Sequence, residues 1–325
     1  MKPSDIAKAL RALISTGTPA FLWGAPGVGK SNVVEQVARE LGRRLIDIRA
    51  VLLDPVDLRG LPHVNGDGRA HWATPEFLPR DGEGVLFLDE LNAAPPLVQA
   101  ACYQLVLDRK LGEYTLPDGW AVAAAGNRET DRAVTSRMPS ALANRFVHLD
   151  FEADLDDWCQ WALQAGVCSE VIAFVRFRPN LLHAFDPDRK AFPSPRSWAF
   201  ASNILGVQPD AGVEYDLLAG TIGEGAAAEL TGFLRVFRQL PSPDAVLMTP
   251  DTAAVPDDPA TLYALCGALA RKASAANFDR VTDYAKRLPA EFSVLLIKDA
   301  ITRTPECQQT QGFIAWAAEH GDVLT

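Results

Sequence analysis

Glycines, a lysine and a serine stand together near the start of the chain in Gly24-Ala25-Pro26-Gly27-Val28-Gly29-Lys30-Ser31, directly after the apolar run Phe21-Leu22-Trp23. The spacing G-x-x-x-x-G-K-S suits polyphosphate chemistry. Backbone N–H groups curl around phosphate oxygens only where no Cβ stands in the way, which is the part expected of Gly24, Gly27 and Gly29. The helix predicted to follow, through Val33, Val34, Val37, Ala38 and Leu41, turns its positive end to the same anion. Lys30 can reach the β- and γ-phosphates, and the Ser31 hydroxyl can ligate Mg2+. Ala25, Pro26, Val28 and Asn32 complete the segment expected to touch nucleotide. A Gly/Pro-rich turn with a chance lysine is the competing reading, outweighed by the length of the motif and its strand-then-helix setting.

Binding a nucleotide is not yet hydrolysing it. Gly84-Val85-Leu86-Phe87-Leu88-Asp89-Glu90 is a continuous apolar run ending in two acids, as expected for a strand buried on both faces. Asp89 at its tip can hold Mg2+ directly or through water, and Glu90 is placed to polarise the water that attacks the γ-phosphate. Without the glycine loop the pair would read equally as a solvated strand end. Asn127 closes the next predicted strand, where a neutral amide can orient the lytic water; in isolation it would pass for a turn former. Charge on the departing phosphate calls for arginine, whose planar fork is always cationic. Arg145, before the last strand, and Arg196, opening a helix in Ser194-Pro195-Arg196-Ser197-Trp198, are the candidates. Each taken alone is an ordinary surface arginine.

The elements that must position these groups alternate. A first amphipathic helix (Ile6, Leu10, Leu13, Ile14) precedes the loop, and strands are predicted at Arg44–Ile48, Gly84–Glu90, Trp120–Ala125 and Phe146–Phe151, with helices between them. That order implies an α/β fold built on a mostly parallel sheet covered on both faces. Two interruptions read as hairpins: His63 to Trp72, with Asn-Gly and Asp-Gly turn signals, and Lys110 to Pro117. From about Ala153 helices are predicted without further clear strands, among them 154–166, 169–177 and 195–206. Residues 240–259, rich in Pro, Asp and Thr, read as an exposed linker before more helices. The expected domains are therefore an α/β domain over 1–152, a helical domain over 153–225 and a helical extension over 226–325.

At 325 residues, 48% apolar and 22% charged, the chain has material for about two cores. A formal charge of −10 argues against a nucleic-acid duplex as the main ligand. Five cysteines, widely spaced and never C-x-x-C, read as reduced core thiols. No spanning segment or cleavage pattern is evident, so no membrane role and a cytoplasmic location are expected. His63 and His71 suggest a metal site only weakly, lacking Cys or close carboxylates, and read better as surface or pore-side residues. Val64, Trp72 and Tyr114 suit either gripping a protein strand or local packing. The acidic run Glu152 to Asp157 reads as a complement to a helix N-terminus rather than a binding patch.

Taken together, the set resembles the AAA+ ATPases, and within them the MoxR branch. The resemblance rests on GAPGVGKS (Gly24 to Ser31, Walker A), VLFLDELNAAP (Val85 to Pro95, Walker B), AAAGN ending at Asn127 (sensor 1), ALANRF (Ala141 to Phe146, around an arginine finger) and SPRSW (Ser194 to Trp198, sensor 2). Asp57 to Trp72 resembles the hairpin this branch inserts within its second helix, and Leu111 to Pro117 the hairpin before sensor 1. The match covers about residues 5 to 220 and thins beyond about 225. It implies an AAA+ domain over 1–152, a lid over 153–225, ATP and Mg2+ as cofactors, and a homo-oligomer, commonly a hexameric ring, with ATP between neighbours. Arg145 would then reach a neighbour's site, with Arg137 its rival, and Arg196 would sense nucleotide in cis or in trans. A partner with a von Willebrand factor A domain and a target protein to be remodelled are implied as well. Two other classes stay open: a nucleotide-gated binding module, against which Glu90 argues, and a nucleic-acid-associated motor, against which the acidic balance weighs.

Overall fold

The computed structural model describes residues 1–64, 66, 68–128, 138–240 and 242–320, so the expectation placed on Arg137 lies outside the described residues. The chain divides into two compact units, Met1–Asp154 and Leu155–Thr325.

In the first unit helix α1 (Pro3–Thr16) precedes strand β1 (Ala20–Trp23), helix α2 (Lys30–Glu40) and strand β2 (Arg44–Arg49). A short helix α3 (Pro55–Arg59) leads into strands β3 (Leu61–Val64) and β4 (Ala70–Ala73), then strand β5 (Gly84–Asp89) and helix α4 (Pro96–Asp108). Strands β6 (Lys110–Leu111), β7 (Tyr114–Thr115) and β8 (Trp120–Gly126), helix α5 (Ser140–Ala143) and strand β9 (Val147–Asp150) complete it. Five strands form one parallel sheet in the order β2-β5-β8-β1-β9. The expected hairpins are the two other sheets, with His63 opposite His71 and Leu111 opposite Tyr114.

The central strands alternate between two apolar layers. Val85 and Phe87 of β5, with Ala121, Ala123 and Ala125 of β8, face α1 and α2 through Ile6, Leu10, Val34 and Val37. Leu86, Leu88, Val122 and Ala124 face α4 through Val98, Cys102 and Leu105. A strand buried on both sides needs apolar residues at every position, which is why β5 reads as an unbroken run in the sequence. The loop and both acids therefore emerge at one end of a rigid sheet, at the carboxyl ends of β1 and β5.

The second unit is helical among its described residues: α6 (Leu155–Gln164), α7 (Ser169–Phe177), α8 (Pro195–Gly206), α9 (Ala211–Ile222), α10 (Glu224–Arg238), α11 (Pro243–Met248), α12 (Pro259–Lys272), α13 (Phe278–Ala285), α14 (Ala290–Arg303) and α15 (Gln311–Glu319). Ser194 caps α8, accepting from Ser197 N at 3.1 Å while Ser197 Oγ accepts from Ser194 N at 2.7 Å. Phe174, Trp198 and Phe233 pack ring to ring across α7, α8 and α10. Within 240–259, expected as exposed linker, Val246 and Leu247 of α11 are buried against Leu262, Leu265 and Val281. The prolines set helix starts there, at Pro243 and Pro259, because a residue without N–H costs nothing at a first helical position. The cysteines are free, and burial pushes the Cys102 and Cys266 thiols up to about 12.

Candidate nucleotide site

The site is built where β1 gives way to α2. Gly29, with φ 105°, supplies the left-handed residue that starts the helix, and the first turn of α2 carries no acidic side chain to compete for its N–H groups. Gly24 has a second reason to lack a side chain beyond those read from the sequence. A Cβ there would stand 2.9 Å from the carbonyl oxygen of Phe151, just past β9.

Lys30 Nζ donates to Gly24 O at 2.6 Å, Ala25 O at 3.2 Å and Asn127 Oδ1 at 3.0 Å. Ser31 Oγ donates to Asp89 Oδ2 at 3.0 Å. Lys30, Ser31, Asp89 and Asn127, far apart in sequence, thus meet at the ends of β1, β5 and β8. Asp89 Oδ1 accepts from the backbone N–H of Glu90 at 2.9 Å. Glu90 itself has φ 56°, a left-handed backbone that costs a residue with a Cβ roughly 1–2 kcal/mol and that ends the strand abruptly at Asp89. Partial desolvation, and then the neighbouring Asp89 carboxylate, raise the pKa of Asp47 on the adjacent edge strand.

A hydroxyl and a carboxylate oxygen 3.0 Å apart form a hard-oxygen pair of the kind that holds Mg2+ alongside phosphate oxygens, so the residues fit that ion. Among the described residues, groups of three or more His, Cys, Asp or Glu able to hold a metal by themselves are absent, His63 and His71 included. His71 Nδ1 lies instead 3.7 Å from Glu113 Oε2, which also accepts from Trp72 N at 3.4 Å, so the two hairpins touch. Tyr114 packs locally, its hydroxyl donating to Pro79 O at 2.6 Å. Val64 and Trp72 are exposed.

Arg145 is half-buried at the turn between α5 and β9, beside Leu107, Ser140 and Asn144. Arg196 is exposed in the first turn of α8, in the second unit. One residue that the sequence reading passed over belongs to the site. Asn92, 1% exposed, donates from Nδ2 to the backbone carbonyl of Asn127 at 2.7 Å and so fixes the turn that presents the Asn127 amide. Its signal was its place in the segment from Val85 to Pro95, two residues beyond Glu90.

Fold and site together define a P-loop nucleotide-binding domain with AAA+ topology. Residues 20–147 match the family model described as ATPase family associated with various cellular activities (AAA), and the chain thus carries an AAA ATPase domain. It is 31% identical over 184 residues to midasin of Giardia intestinalis, which takes in 52% of this chain and 4% of midasin's length. Among solved structures, ATP-bound NtrX of Brucella abortus superposes with a TM-score of 0.45 at 13% identity, covering 99% of this chain and 67% of NtrX. The Holliday junction branch migration motor RuvB of Thermotoga maritima superposes at 0.42 and 17%, covering 82% of this chain and 80% of RuvB. Overlaps of this degree carry no weight in the functional reading. Helices long and apolar enough to cross a membrane are absent among the described residues.

Proposed function

We propose that the chain binds ATP with Mg2+ at its loop, hydrolyses it at a contact between copies of itself, and uses the cycle to remodel a partner protein. The observation that carries this reading is the meeting of Lys30 with Asn127 and of Ser31 with Asp89 at one sheet end. When bound, Mg2+ supplies positive charge to the phosphate oxygens. Lys30 exchanges its carbonyl and amide contacts for phosphate oxygens. Glu90 takes the proton of the attacking water as the new P–O bond forms and the bond to the β-phosphate oxygen breaks, while Asn127 orients that water. Arg145 completes the charge at a neighbour's phosphate, with Arg196 reporting nucleotide state.

The MoxR resemblance supports the remodelling role, the ring, the cytoplasmic setting and a partner with a von Willebrand factor A domain. The proposed organisation is an AAA+ domain over 1–152, a lid over 153–225 and a helical extension over 226–325. Glu90→Gln tests it: the variant should retain ATP affinity, lose turnover by about two to four orders of magnitude, and lose any partner-remodelling activity with it. Full biological activity in a variant without turnover would instead establish a nucleotide-gated binding module.

A further inference from the structure

Trp23, the last residue of β1, directly precedes the first glycine of the loop, and His148 lies on the adjacent strand β9, in register with Phe21. Trp23 Nε1 donates to His148 Nδ1 at 2.8 Å, and His148 Nε2 lies 2.8 Å from the carbonyl oxygen of Ala143. An indole N–H can only donate, so Nδ1 carries no proton; the proton of the neutral ring then sits on Nε2 and is donated to Ala143 O. Each contact demands the tautomer that the other one uses.

Ala143 ends α5, and Arg145 follows two residues later. A helix of four residues has almost no stability of its own, so the place of this turn depends on what holds it from outside. His148 holds one side. On the other side of Arg145, Phe146 meets the Phe21 ring edge-on at 5.4 Å, and the Phe21 and Trp23 rings lie 4.3 Å apart. The residues that bracket Asn144-Arg145 are thus both anchored to β1, the strand that runs into Gly24.

We infer that His148 is a positioning residue, clamping the Ala143–Arg145 turn to the strand that carries the phosphate loop. The arginine that one chain offers to a neighbour is thereby held by the first chain's own loop strand. This inference rests on the proposed action of Arg145 in trans.

Mixed chains test both and keep them apart. Lys30→Ala chains can contribute only the arginine, and Arg145→Ala chains only the loop; coassembled, they should hydrolyse ATP where neither does alone. A silent mixture overturns the trans reading and this inference with it. Given a working mixture, adding His148→Phe to the Lys30→Ala chain should lower kcat roughly five- to ten-fold, as expected for losing a clamp of two hydrogen bonds, with KM for ATP unchanged because the loop lies on the other chain. His148→Gln in the same chain should restore most of the rate, since its amide oxygen can accept from Trp23 and its amide N–H can donate to Ala143. The same His148→Phe change placed on the Arg145→Ala chain should cost much less. Equal losses in the two arrangements show a merely structural role and overturn the inference, as does no loss in the first. Should His148→Phe fail to coassemble by sedimentation, Trp23→Phe in the Lys30→Ala chain keeps an aromatic ring on β1 while removing the N–H together with the five-membered part of the indole. It should give the same asymmetric loss, and its absence overturns the inference equally.

Discussion

At the scale of single residues, the tightest constraint on the site comes from Asn92 and Gly126. Asn92 Oδ1 is buried without a hydrogen-bond partner, and a Cβ on Gly126 would stand 2.2 Å from it. Gly126→Ala should therefore push Asn92 away and release its bond to the Asn127 carbonyl. Asn92→Ala removes the same bond without the clash. Loss of this part-buried hydrogen bond costs about 0.5–1.5 kcal/mol, so both variants should unfold at lower urea concentration, and both should lose kcat while the Kd for ATP stays near that of the unaltered protein. A variant with loosened nucleotide binding and an intact single-turnover rate would mean that Asn92 supports the loop rather than the Asn127 turn. Lys30, Ser31, Asp89 and Asn127 were legible in the sequence because each sits in a local motif whose chemistry dictates its type. Asn92 and His148 were not, because their partners lie 35 and 125 residues away and nothing in the intervening chain announces the contact.

At the scale of elements, legibility followed the strength of the local pattern. The buried strands could be read from apolar runs, the first hairpin from its Asn-Gly and Asp-Gly turn signals and the second from the short run around Gly112. Helix α9 carried no such signal, since Gly212 and Gly220 weaken helix propensity and its apolar residues spread around its surface. Helix α10 does carry an apolar face, Ala226, Leu230, Phe233 and Leu234, that the glycines Gly225 and Gly232 obscured. The role of 240–259 was hidden for a similar reason: proline density marks a break in periodicity, not whether the residues beside it are buried. One link between elements lies outside any pattern. Arg176 of α7 and Asp299 of α14 form a bidentate pair, with Nη2 to Oδ1 at 2.8 Å and Nη1 to Oδ2 as the second bond, and side-chain exposures of 13% and 6%. Burial opposes the charge on Arg176, but the hydrogen bonds and charge of Asp299 outweigh it and keep the guanidinium protonated. Asp299→Asn should destabilise the second unit by about 3–5 kcal/mol, because one buried charge is left uncompensated. Replacing both, as Arg176→Met with Asp299→Leu, should recover most of that loss in denaturant unfolding. A double variant as unstable as the single one would show that the pair holds α7 and α14 by geometry that apolar packing cannot supply.

At the scale of the whole molecule, the proposed site is divided between copies of a chain whose formal charge is −10. Two consequences follow, with signs that separate the competing readings. If Arg145 acts on a neighbour's phosphate, turnover per chain should fall as the protein is diluted through the range where sedimentation shows it coming apart, and should saturate above it. Turnover that stays flat while the assemblies dissociate would place the whole catalytic set within one chain. Self-repulsion between acidic copies is screened by salt over a Debye length of about 10 Å at 0.1 M, so moderate salt should leave assembly intact or favour it. A nucleic-acid motor behaves oppositely: its stimulation by DNA is greatest at low salt and collapses as counterions return, with a slope set by the number of phosphates engaged. Measured at about 50 and 200 mM salt with and without duplex or single-stranded DNA, the ATPase rate of the assembled protein should be unchanged by the DNA at both concentrations. A stimulation that disappears between them would mean that a local basic path through the assembly overrides the acidic whole, and would move the substrate from protein to nucleic acid.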